Sequence, residues 1–545
     1  MGENCRAYHD MSRLRIVLSA LTGVVILVTG SSLLRADDWP QWGRRDDRNM
    51  VSDEKGLPDT FEPGGTKKDD TGAYVVDMAS THNVKWAVRL GSQTYGNPTV
   101  AGGKVFIGSN DDSLRDPRFE KTNGGIVMCI DEATGNLLWQ LVIPRFRTNK
   151  KQFNFDDLNT GVCSSPTVQD NRAYLVSNRG EVLCLDVNGQ ANGNDGPYQD
   201  EGQYMAGPNR PAVTLGHEDG DIIWCYDMIS EVPSWPQDAS NCSVLICGDL
   251  IYVGTSNGVD RSHDNVPYPK SPSLIVLDKN TGRLVAKDDE NIGKRLFHGQ
   301  WSSPAMGIVD GKPLVFYGGG DGVCYAFEPP GTRSTQGEIV LLRKIWSCDC
   351  NPSEYKFRNG KSIPYQKKHN SFNSSTKGEG PSEIISTPVF YNNRVYVAVG
   401  QDPQHGRGEG ALTCIDATKQ GDITETGKLW TCKLVDRSLS TVSIADGLVY
   451  IADYSGNLHC LNADTGQRYW VHETNSPIWS STLAADRKIY LGSENRDLWV
   501  LKAGKEKKVL AQIRLREKMY NTPVVANGVL YVATQRYLYA IQSPH

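Results

Sequence analysis

The sequence lacks an excess of positive charge. Lysine and arginine together number 58 against 63 aspartates and glutamates, which gives a formal net charge of −5 at pH 7. A chain with this balance does not present the basic surface by which nucleic-acid-binding proteins neutralise phosphates, so we expect no nucleic-acid partner. Hydrophobic residues make up 39% and charged residues 22% of the chain, which is typical of a folded globular protein rather than a disordered one.

Two cysteine motifs of redox proteins are also missing. The 13 cysteines include no adjacent Cys-Cys pair and no Cys-x-x-Cys-His haem-attachment motif. Four cysteines fall at one equivalent position of a repeat described below, and we expect them to be buried free thiols: Cys129, Cys184, Cys414 and Cys460. Six others could form disulfides in an oxidising compartment, with a connectivity that the sequence leaves open: Cys163, Cys242, Cys247, Cys348, Cys350 and Cys432.

The N-terminus carries the one long apolar run. Two arginines precede the run from Ile16 to Leu27, and small residues then lead to Ala36. This order predicts a signal peptide over residues 1–36 and an exported protein, periplasmic or extracellular, that begins near Asp37. An uncleaved anchor over residues 14–34 is the alternative, and the protein would then contact a membrane.

The rest of the chain is repetitive. A small or polar pair, often followed by proline, precedes a tight turn and an apolar run with an aromatic residue, which predicts a β-hairpin. The hairpins begin at Asn97, Ser165, Ser243, Ser303, Thr387, Thr441, Ser481 and Thr522. A third strand and a Thr-Gly turn into a fourth strand follow most hairpins, and the shortest copies, at Val442, Thr482 and Pro523, are 40 or 41 residues apart. Four strands in about 40 residues are typical of a propeller blade.

The ends of the repeat array complement each other. The last copy stops at Ile541 after three strands, whereas a strand pattern over 84–88 precedes the first hairpin. We therefore predict an all-β, eight-bladed β-propeller over 84–545, closed by this N-terminal strand, after an extension over 37–83. Closure of this kind removes two open sheet edges.

The turn before the fourth strand carries a family signature. Residues 462–470 and 131–139 carry the Thr-Gly-x-x-x-Trp end of the Ala-x-Asp-x-x-Thr-Gly-x-x-x-Trp pattern of quinoprotein dehydrogenases, whereas Ala286 stands where the tryptophan is expected in another blade. Residues 84–541 thus resemble the PQQ-like β-propellers, the family that includes quinoprotein alcohol dehydrogenases and the assembly factor BamB. The resemblance implies that the tryptophans dock neighbouring blades.

Propeller geometry predicts where a site would lie. The loops before strand one and between strands two and three of each blade share one face, here called the front face, which carries most of the long insertions. Residues just before the inner strands should ring the axis there: Tyr95, Cys163, Trp301, Ile385, Leu439, Trp479 and Tyr520. Polar residues lie immediately upstream: Asn159, His298, Gln300, Glu383 and Arg437.

From these sets we predict a cofactor or ligand site on the axis. Its expected members are Trp301, Trp479, His298, Gln300, Glu383 and Arg437. Aromatic walls with an arginine suit a small, flat, anionic ligand, and the resemblance implies that a quinone would sit there, so PQQ with calcium is one option for a cofactor that the sequence does not identify. The alternative is that these residues only fill the channel.

The catalytic features that the resemblance implies are not matched. The adjacent cysteine pair is missing, and the calcium-ligand and catalytic-aspartate motifs of the dehydrogenases have no counterpart residue by residue, so no catalytic residue or metal ligand is predicted. We expect a binding or scaffold protein outside the cytoplasm, with a protein partner or a small flat anionic ligand. The alternative is a quinone-dependent oxidoreductase with its cofactor on the axis of the front face.

One further stretch has the composition of a calcium loop. Residues 186–201 are rich in Asp, Asn and Gly. They fail the EF-hand template, because Ala191 replaces the turn glycine and Pro197 the final glutamate. We expect a solvated loop on the face opposite the front face, here called the back face.

Overall fold

The protein is described by a computed structural model over residues 37–114, 116–145, 158–331, 338–365, 379–403 and 409–543. The predicted signal peptide, residues 1–36, lies outside these ranges. Eight antiparallel four-stranded units follow one another along the described chain. They form an eight-bladed β-propeller, which confirms the predicted fold class.

Each blade is a meander in which consecutive strands pair with their neighbours. Blade 1 consists of Thr99–Ala101, Lys104–Asn110, Gly125–Asp131 and Leu137–Ile143, and blade 2 of Thr167–Gln169, Arg172–Val176, Glu181–Asp186 and Ile222–Asp227. Blade 3 consists of Leu245–Cys247, Leu250–Gly254, Leu274–Asp278 and Leu284–Lys287, and blade 4 of Ala305–Val309, Lys312–Gly318, Val323–Glu328 and Arg343–Asp349. Blade 5 consists of Val389–Tyr391, Arg394–Val399, Ala411–Asp416 and Lys428–Cys432, and blade 6 of Ser443–Ala445, Leu448–Ala452, Asn457–Asn462 and Arg468–Glu473. Blade 7 consists of Leu483–Ala485, Lys488–Gly492, Asp497–Lys502 and Val509–Arg514, and blade 8 of Val524–Ala526, Val529–Ala533, Tyr537–Ile541 and Val84–Arg89.

Short elements decorate the blades. Three two-residue strands add to blade edges in parallel, and four more strands form two small hairpins. The added strands are Val51–Ser52, Val340–Leu341 and Gly421–Asp422, and the hairpins are Gly65–Lys68 with Tyr74–Asp77 and Phe357–Arg358 with Lys361–Ser362. The helices are Glu201–Ala206, Met228–Glu231 and Ser353–Lys356, with 3-10 turns at Met78–Ser80, Asp111–Ser113, Gly189–Asn192 and Ile292–Lys294. Within the described ranges, no helix has the length and apolar character needed to cross a membrane.

The ring closes by strand exchange, as predicted. Val84–Arg89 pairs with Tyr537–Ile541, with Arg89 opposite Tyr537 and Trp86 opposite Ala540. The first and last blades are thereby tied together, and the outer edge of blade 8 is supplied from the other end of the chain.

In six of the eight blades, a signature tryptophan hydrogen-bonds to the next blade. The indole N–H of Trp139 donates to the carbonyl of Val187 at 3.0 Å, and that of Trp470 to the carbonyl of Gly504 at 2.9 Å. Equivalent bonds join Trp86 to Glu132, Trp224 to Lys279, Trp346 to Ala417 and Trp430 to Ala463. The Thr-Gly turn takes part in this contact between blades, because Gly466 has φ +71° and a Cβ there would lie 2.6 Å from the Trp430 ring. The docking role that the resemblance implied is present in six blades.

No disulfide joins any two of the twelve cysteines within the described ranges. The four at the equivalent strand-three position are buried. Each opposes the signature tryptophan on the fourth strand of its own blade: Trp139, Trp224, Trp430 and Trp470. Burial raises the pKa of the Cys129 thiol. These findings confirm the four predicted free thiols. Five of the six cysteines with open connectivity are also free thiols: Cys242, Cys247, Cys348, Cys350 and Cys432.

Residues 38–52, here called the plug, close the back end of the axis. The plug contacts the inner strands of successive blades: Trp39 pairs with Val100 in blade 1, and the carbonyl of Pro40 accepts from Val168 in blade 2. Further contacts reach blades 3 to 8 through Arg48 to Val244, Asp46 to Met306, Asp47 to Phe390, Asn49 to Ile444, Met50 to Ala484, and Asp38 to Asn527. The plug therefore touches all eight blades.

Candidate functional site

The small polar residues that open the eight repeats form a hydrogen-bonded belt around the axis. In each case the backbone N–H of one residue donates to the side-chain oxygen of its counterpart in the next blade, as from Asn97 to Ser165 at 2.8 Å. The same bond joins Ser165 to Ser243, Ser243 to Ser303, Thr387 to Thr441, Thr441 to Ser481, Ser481 to Thr522 and Thr522 to Asn97. The belt explains why a small polar side chain recurs at this position. At the remaining junction the Thr387 hydroxyl accepts from the indole N–H of Trp42 in the plug, at 3.1 Å.

A cavity of about 220 Å³ lies on the axis above this belt. Trp42 contributes to its lining from the plug, and all eight belt residues take part. The seven residues predicted to ring the axis are also present in the lining: Tyr95, Cys163, Trp301, Ile385, Leu439, Trp479 and Tyr520. The predicted position of the site therefore coincides with the axial cavity.

The sequence reasoning missed several lining residues. Asn241 stands two residues before Ser243, the same offset that places Tyr95 before Asn97, so the repeat itself carried this signal. Asp238 and Asp402 contribute carboxylates from front-face loops. Loop residues of this kind fall outside the repeat pattern, and no periodic signal marks them.

Three aromatic rings pack together on one wall. The ring centroids of Trp479 and Tyr520 lie 4.9 Å apart, and those of Tyr95 and Tyr520 5.3 Å apart. Behind this wall, Glu494 accepts hydrogen bonds from the Trp479 indole N–H and the Tyr520 hydroxyl, each at 3.3 Å. Tyr454 meets the edge of Trp479 at 5.5 Å. The wall offers apolar ring surface on the cavity side and a carboxylate behind it.

The predicted polar site residues are buried, and the lining does not include them. The Gln300 amide donates to the carbonyl of Asn257 at 2.9 Å, and the His298 ring stacks on His263 at 5.0 Å. The Arg437 guanidinium lies 4.4 Å from the Tyr454 ring centroid. Burial lowers the pKa of Arg437. Of the six predicted site residues, the structure thus brings Trp301 and Trp479 to the cavity and places the other four in the surrounding loops.

Glu383 occupies a fully buried position near the cavity wall. Its Oε1 accepts from the backbone N–H of Asp402 at 2.8 Å and from the Tyr365 hydroxyl at 3.2 Å. Burial raises the pKa of the Glu383 carboxyl to about 8, and the nearby Asp402 carboxylate adds to the shift. Its contact with the backbone of Asp402 makes Glu383 a support for a lining residue.

The lining is rich in hydrogen-bond acceptors. The Asn241 Oδ1 and Thr160 Oγ1 atoms are buried and have no hydrogen-bond partner among the described residues. With Asp238 and Asp402 the lining carries two carboxylates, and its described members include no lysine, arginine or histidine. A site of this composition offers a ligand carboxylate, amide and hydroxyl oxygens as hydrogen-bond acceptors.

Three comparisons with known proteins show what the chain as a whole is similar to. The family model described as outer membrane protein assembly factor BamB matches residues 123–288, 356–472 and 408–508. A quinohemoprotein alcohol dehydrogenase, ADH IIB of Pseudomonas putida, is 23% identical over 402 residues, which cover 70% of this chain and 50% of that protein. The chain therefore spans about half the length of the curated relative that it matches.

Solved structures of two kinds are similar to this chain. BamB from Moraxella catarrhalis has a TM-score of 0.47 and 14% identity, over 85% of this chain and 98% of that one. The quinohemoprotein alcohol dehydrogenase from Comamonas testosteroni has a TM-score of 0.42 and 14% identity, over 93% of this chain and 81% of that one.

Proposed function

Because the chain belongs to the PQQ-like β-propeller family, we propose that it is an exported binding protein with one small-molecule site in its axial cavity. The observation that carries the proposal is the cavity itself, which lies above the hydrogen-bonded belt and has Trp42 of the plug in its lining. A concave site with aromatic walls and a few converging polar groups is the usual form of a small-molecule site. Export is supported by the order of charged, apolar and small residues in the first 36 positions.

The chemistry of the lining defines the class of ligand. Trp479, Tyr520 and Tyr95 offer ring surface to an apolar or cationic face, and Asp238 and Asp402 offer carboxylate acceptors. We therefore propose a small organic ligand that is rich in hydrogen-bond donors, either an organic ammonium ion or a polyhydroxylated ring. A cavity of about 220 Å³ limits the ligand to a single ring or a compact amine.

A quinone-dependent oxidoreductase is the second candidate, favoured by the similarity to the dehydrogenase of Pseudomonas putida. The described residues do not fit an anionic quinone. Asp238 and Asp402 belong to the lining, whereas the buried Arg437 stacks on Tyr454 and is not part of it. Like charges at close range oppose binding. The small flat anionic ligand expected from the sequence remains a prediction that this lining does not favour.

Titration calorimetry on the mature chain tests the proposal. The probes are a quaternary ammonium compound, a set of monosaccharides, and PQQ with calcium. We expect one of the first two classes to bind with a stoichiometry of one. Asp238→Asn should weaken ammonium binding about tenfold or more, because the attraction of one charge is removed. Asparagine is the appropriate replacement because Asp238 has φ +59°, a conformation that asparagine tolerates.

The matched control is Asp249→Asn, which removes an exposed carboxylate whose recorded ion pair is with Lys279. This control should leave binding unchanged. Preferential binding of PQQ with calcium would favour the oxidoreductase. Failure of all three classes to bind would contradict an axial ligand site and favour a protein-binding scaffold.

A further inference from the structure

A group of carboxylates lies on the connection between strands three and four of blade 2, away from the axial cavity. Asp186 ends the third strand, Asp221 directly precedes the fourth, and Asp195 lies in the loop between them. One carboxylate oxygen from each of the three lies within 4.8 Å of the other two. Asp186 and Asp221 are 2% and 0% exposed, so two of the three carboxylates are shielded from water.

The charges around this group do not balance. A fourth carboxylate, Glu201, is fully buried beside it and accepts a hydrogen bond from the backbone N–H of Ile222 at 3.3 Å. Among the described residues, Arg172 is the basic side chain that pairs with the group, through Asp186. Four carboxylates against one guanidinium leave excess negative charge in a buried place, which is unfavourable without a further cation.

An independent observation points to a ligand at this position. Asp221 Oδ2 accepts from the backbone N–H of Asp195 at 3.1 Å, but Asp221 Oδ1 is buried with no hydrogen-bond partner among the described residues. Asn194 Oδ1 is likewise buried with no hydrogen-bond partner among the described residues, whereas the amide nitrogen of Asn194 donates to Glu201 at 2.9 Å. Burial raises the pKa of Asp221 to about 7, with the carboxylates of Glu201, Asp186 and Asp195 adding to the shift. Two orphaned acceptor oxygens beside buried carboxylates match the ligand set of a hard cation.

We propose that Asp186, Asp195 and Asp221 bind a calcium ion, with the side-chain oxygen of Asn194 as a further ligand. Calcium accepts mixed carboxylate and amide oxygens in irregular geometry, whereas magnesium requires a near-ideal octahedron. The EF-hand template misses such a site because Asp221 lies 26 residues beyond Asp195 in the sequence. The expectation that residues 186–201 form only a solvated loop is replaced by a site that this loop shares with the start of the next strand.

The position of the site suggests what the ion does. The connection that carries it also contacts blade 1: the backbone N–H of Gln140 donates to the carbonyl of Glu218 at 2.9 Å, and Asp219 accepts from both terminal nitrogens of Arg118 at 2.7 and 2.8 Å. The ion would fix this connection and thereby stabilise the contact between blades 1 and 2. It acts independently of the axial cavity.

Melting and calorimetry of the full mature chain test the proposal. After treatment with EGTA, addition of 1 mM calcium should raise the melting temperature by about 2 °C or more, whereas magnesium should have a smaller effect. Calorimetry should give one calcium ion per chain with a Kd of about 10⁻⁴ M or lower. No calcium binding to the EGTA-treated protein would overturn the proposal.

Variants assign the binding to this site. Asp195→Asn should weaken calcium binding about tenfold or more, whereas the control Asp200→Asn, in the same loop but outside the group, should not change it. Asp221→Asn should melt at or above the wild type in EGTA, because it removes a buried charge, and should lose the response to calcium. Unchanged calcium affinity in both Asp195→Asn and Asp221→Asn would place the ion elsewhere and overturn the assignment.

Discussion

The two ends of the axial channel are built on the same eight inner strands, but they differ in how their buried polar side chains are hydrogen-bonded. At the back end, Arg48 is fully buried and donates to four oxygens, those of Pro304, Gln41, Trp42 and Val244, at 2.6 to 3.0 Å. At the front end, acceptor oxygens of Asn241 and Thr160 have no partner among the described residues. A buried polar group without a partner is costly, so natural folds retain such groups mainly where something else binds them.

The difference separates residues that hold the ring from residues that are available for binding. Most plug contacts with the blades are hydrogen bonds, as when Asn49 both donates to and accepts from the backbone of Ile444. Arg44 Nη1 is an exception, since it is buried and has no hydrogen-bond partner among the described residues. In the front-face lining, the belt residues bond from blade to blade, and Trp479 and Tyr520 donate to Glu494. Two acceptor oxygens of this lining, on Asn241 and Thr160, are left over for a ligand. Substitutions at the back end should therefore change stability, and substitutions at the front end should change binding.

The largest effect is expected for Arg48→Ala. The substitution removes the guanidinium that donates to four buried oxygens, and it leaves a cavity in the plug. We therefore expect a loss of about 3–5 kcal/mol of unfolding free energy. Burial already lowers the pKa of Arg48 to about 10. Denaturant unfolding measures the loss, and Arg45→Ala, half exposed in the same segment, is the control. A loss below about 1 kcal/mol would show that the plug is not needed for closure.

A smaller effect, dependent on pH, is expected at Glu383. Its pKa in the folded protein, about 8, lies above the ordinary value near 4.3. The unfolded chain therefore releases this proton first, and the contribution of Glu383 to stability falls as pH rises from about 4.5 to 8. Other buried acids with raised pKa values, such as Asp321 at about 6, act in the same direction.

The Glu383→Gln variant isolates this contribution. We expect its melting temperature to fall less than that of the wild type between pH 5 and pH 8.5, because glutamine does not titrate. The two curves should converge near pH 5, where Glu383 is protonated in the folded state. Parallel curves across the whole range would show that Glu383 keeps its ordinary pKa.

The same comparison explains which features the sequence could predict. The blades, their closure by Val84–Arg89 and the seven residues around the axis follow from local rules that recur every 40 or more residues, so each copy supports the others. Asn241 obeyed the same offset, but it is neither aromatic nor apolar and was not recognised. Asp238 and Asp402 lie in loops without a counterpart in other blades, and their positions depend on tertiary contacts.

The four polar residues predicted for the site show a second limit of prediction from sequence. His298, Gln300, Glu383 and Arg437 are adjacent in sequence to lining residues, which predicted that they would share the site. In the structure their side chains contact neighbouring loops, as when Gln300 donates to the carbonyl of Asn257. Proximity along the chain does not determine which way a loop side chain points. The plug was not predicted either, since its contacts join residues that are far apart in the sequence and belong to no repeat.

The smallest effect is expected where the two ends meet, at Trp42. Its indole N–H donates to Thr387 at 3.1 Å, at the junction of the belt between blades 4 and 5, and its ring forms part of the cavity lining. Trp42→Phe removes one hydrogen bond and some ring area, so we expect a loss of about 1 kcal/mol in denaturant unfolding. Thr387→Val removes the acceptor instead, and a double-mutant cycle should recover most of that energy as coupling between the two residues. Because Trp42 lines the cavity in which we propose a ligand, Trp42→Phe should also alter ligand affinity, which Arg45→Ala should not. If ligand affinity is unchanged while stability falls, Trp42 contributes only to the stability of the plug, and the ligand does not reach the lower end of the cavity.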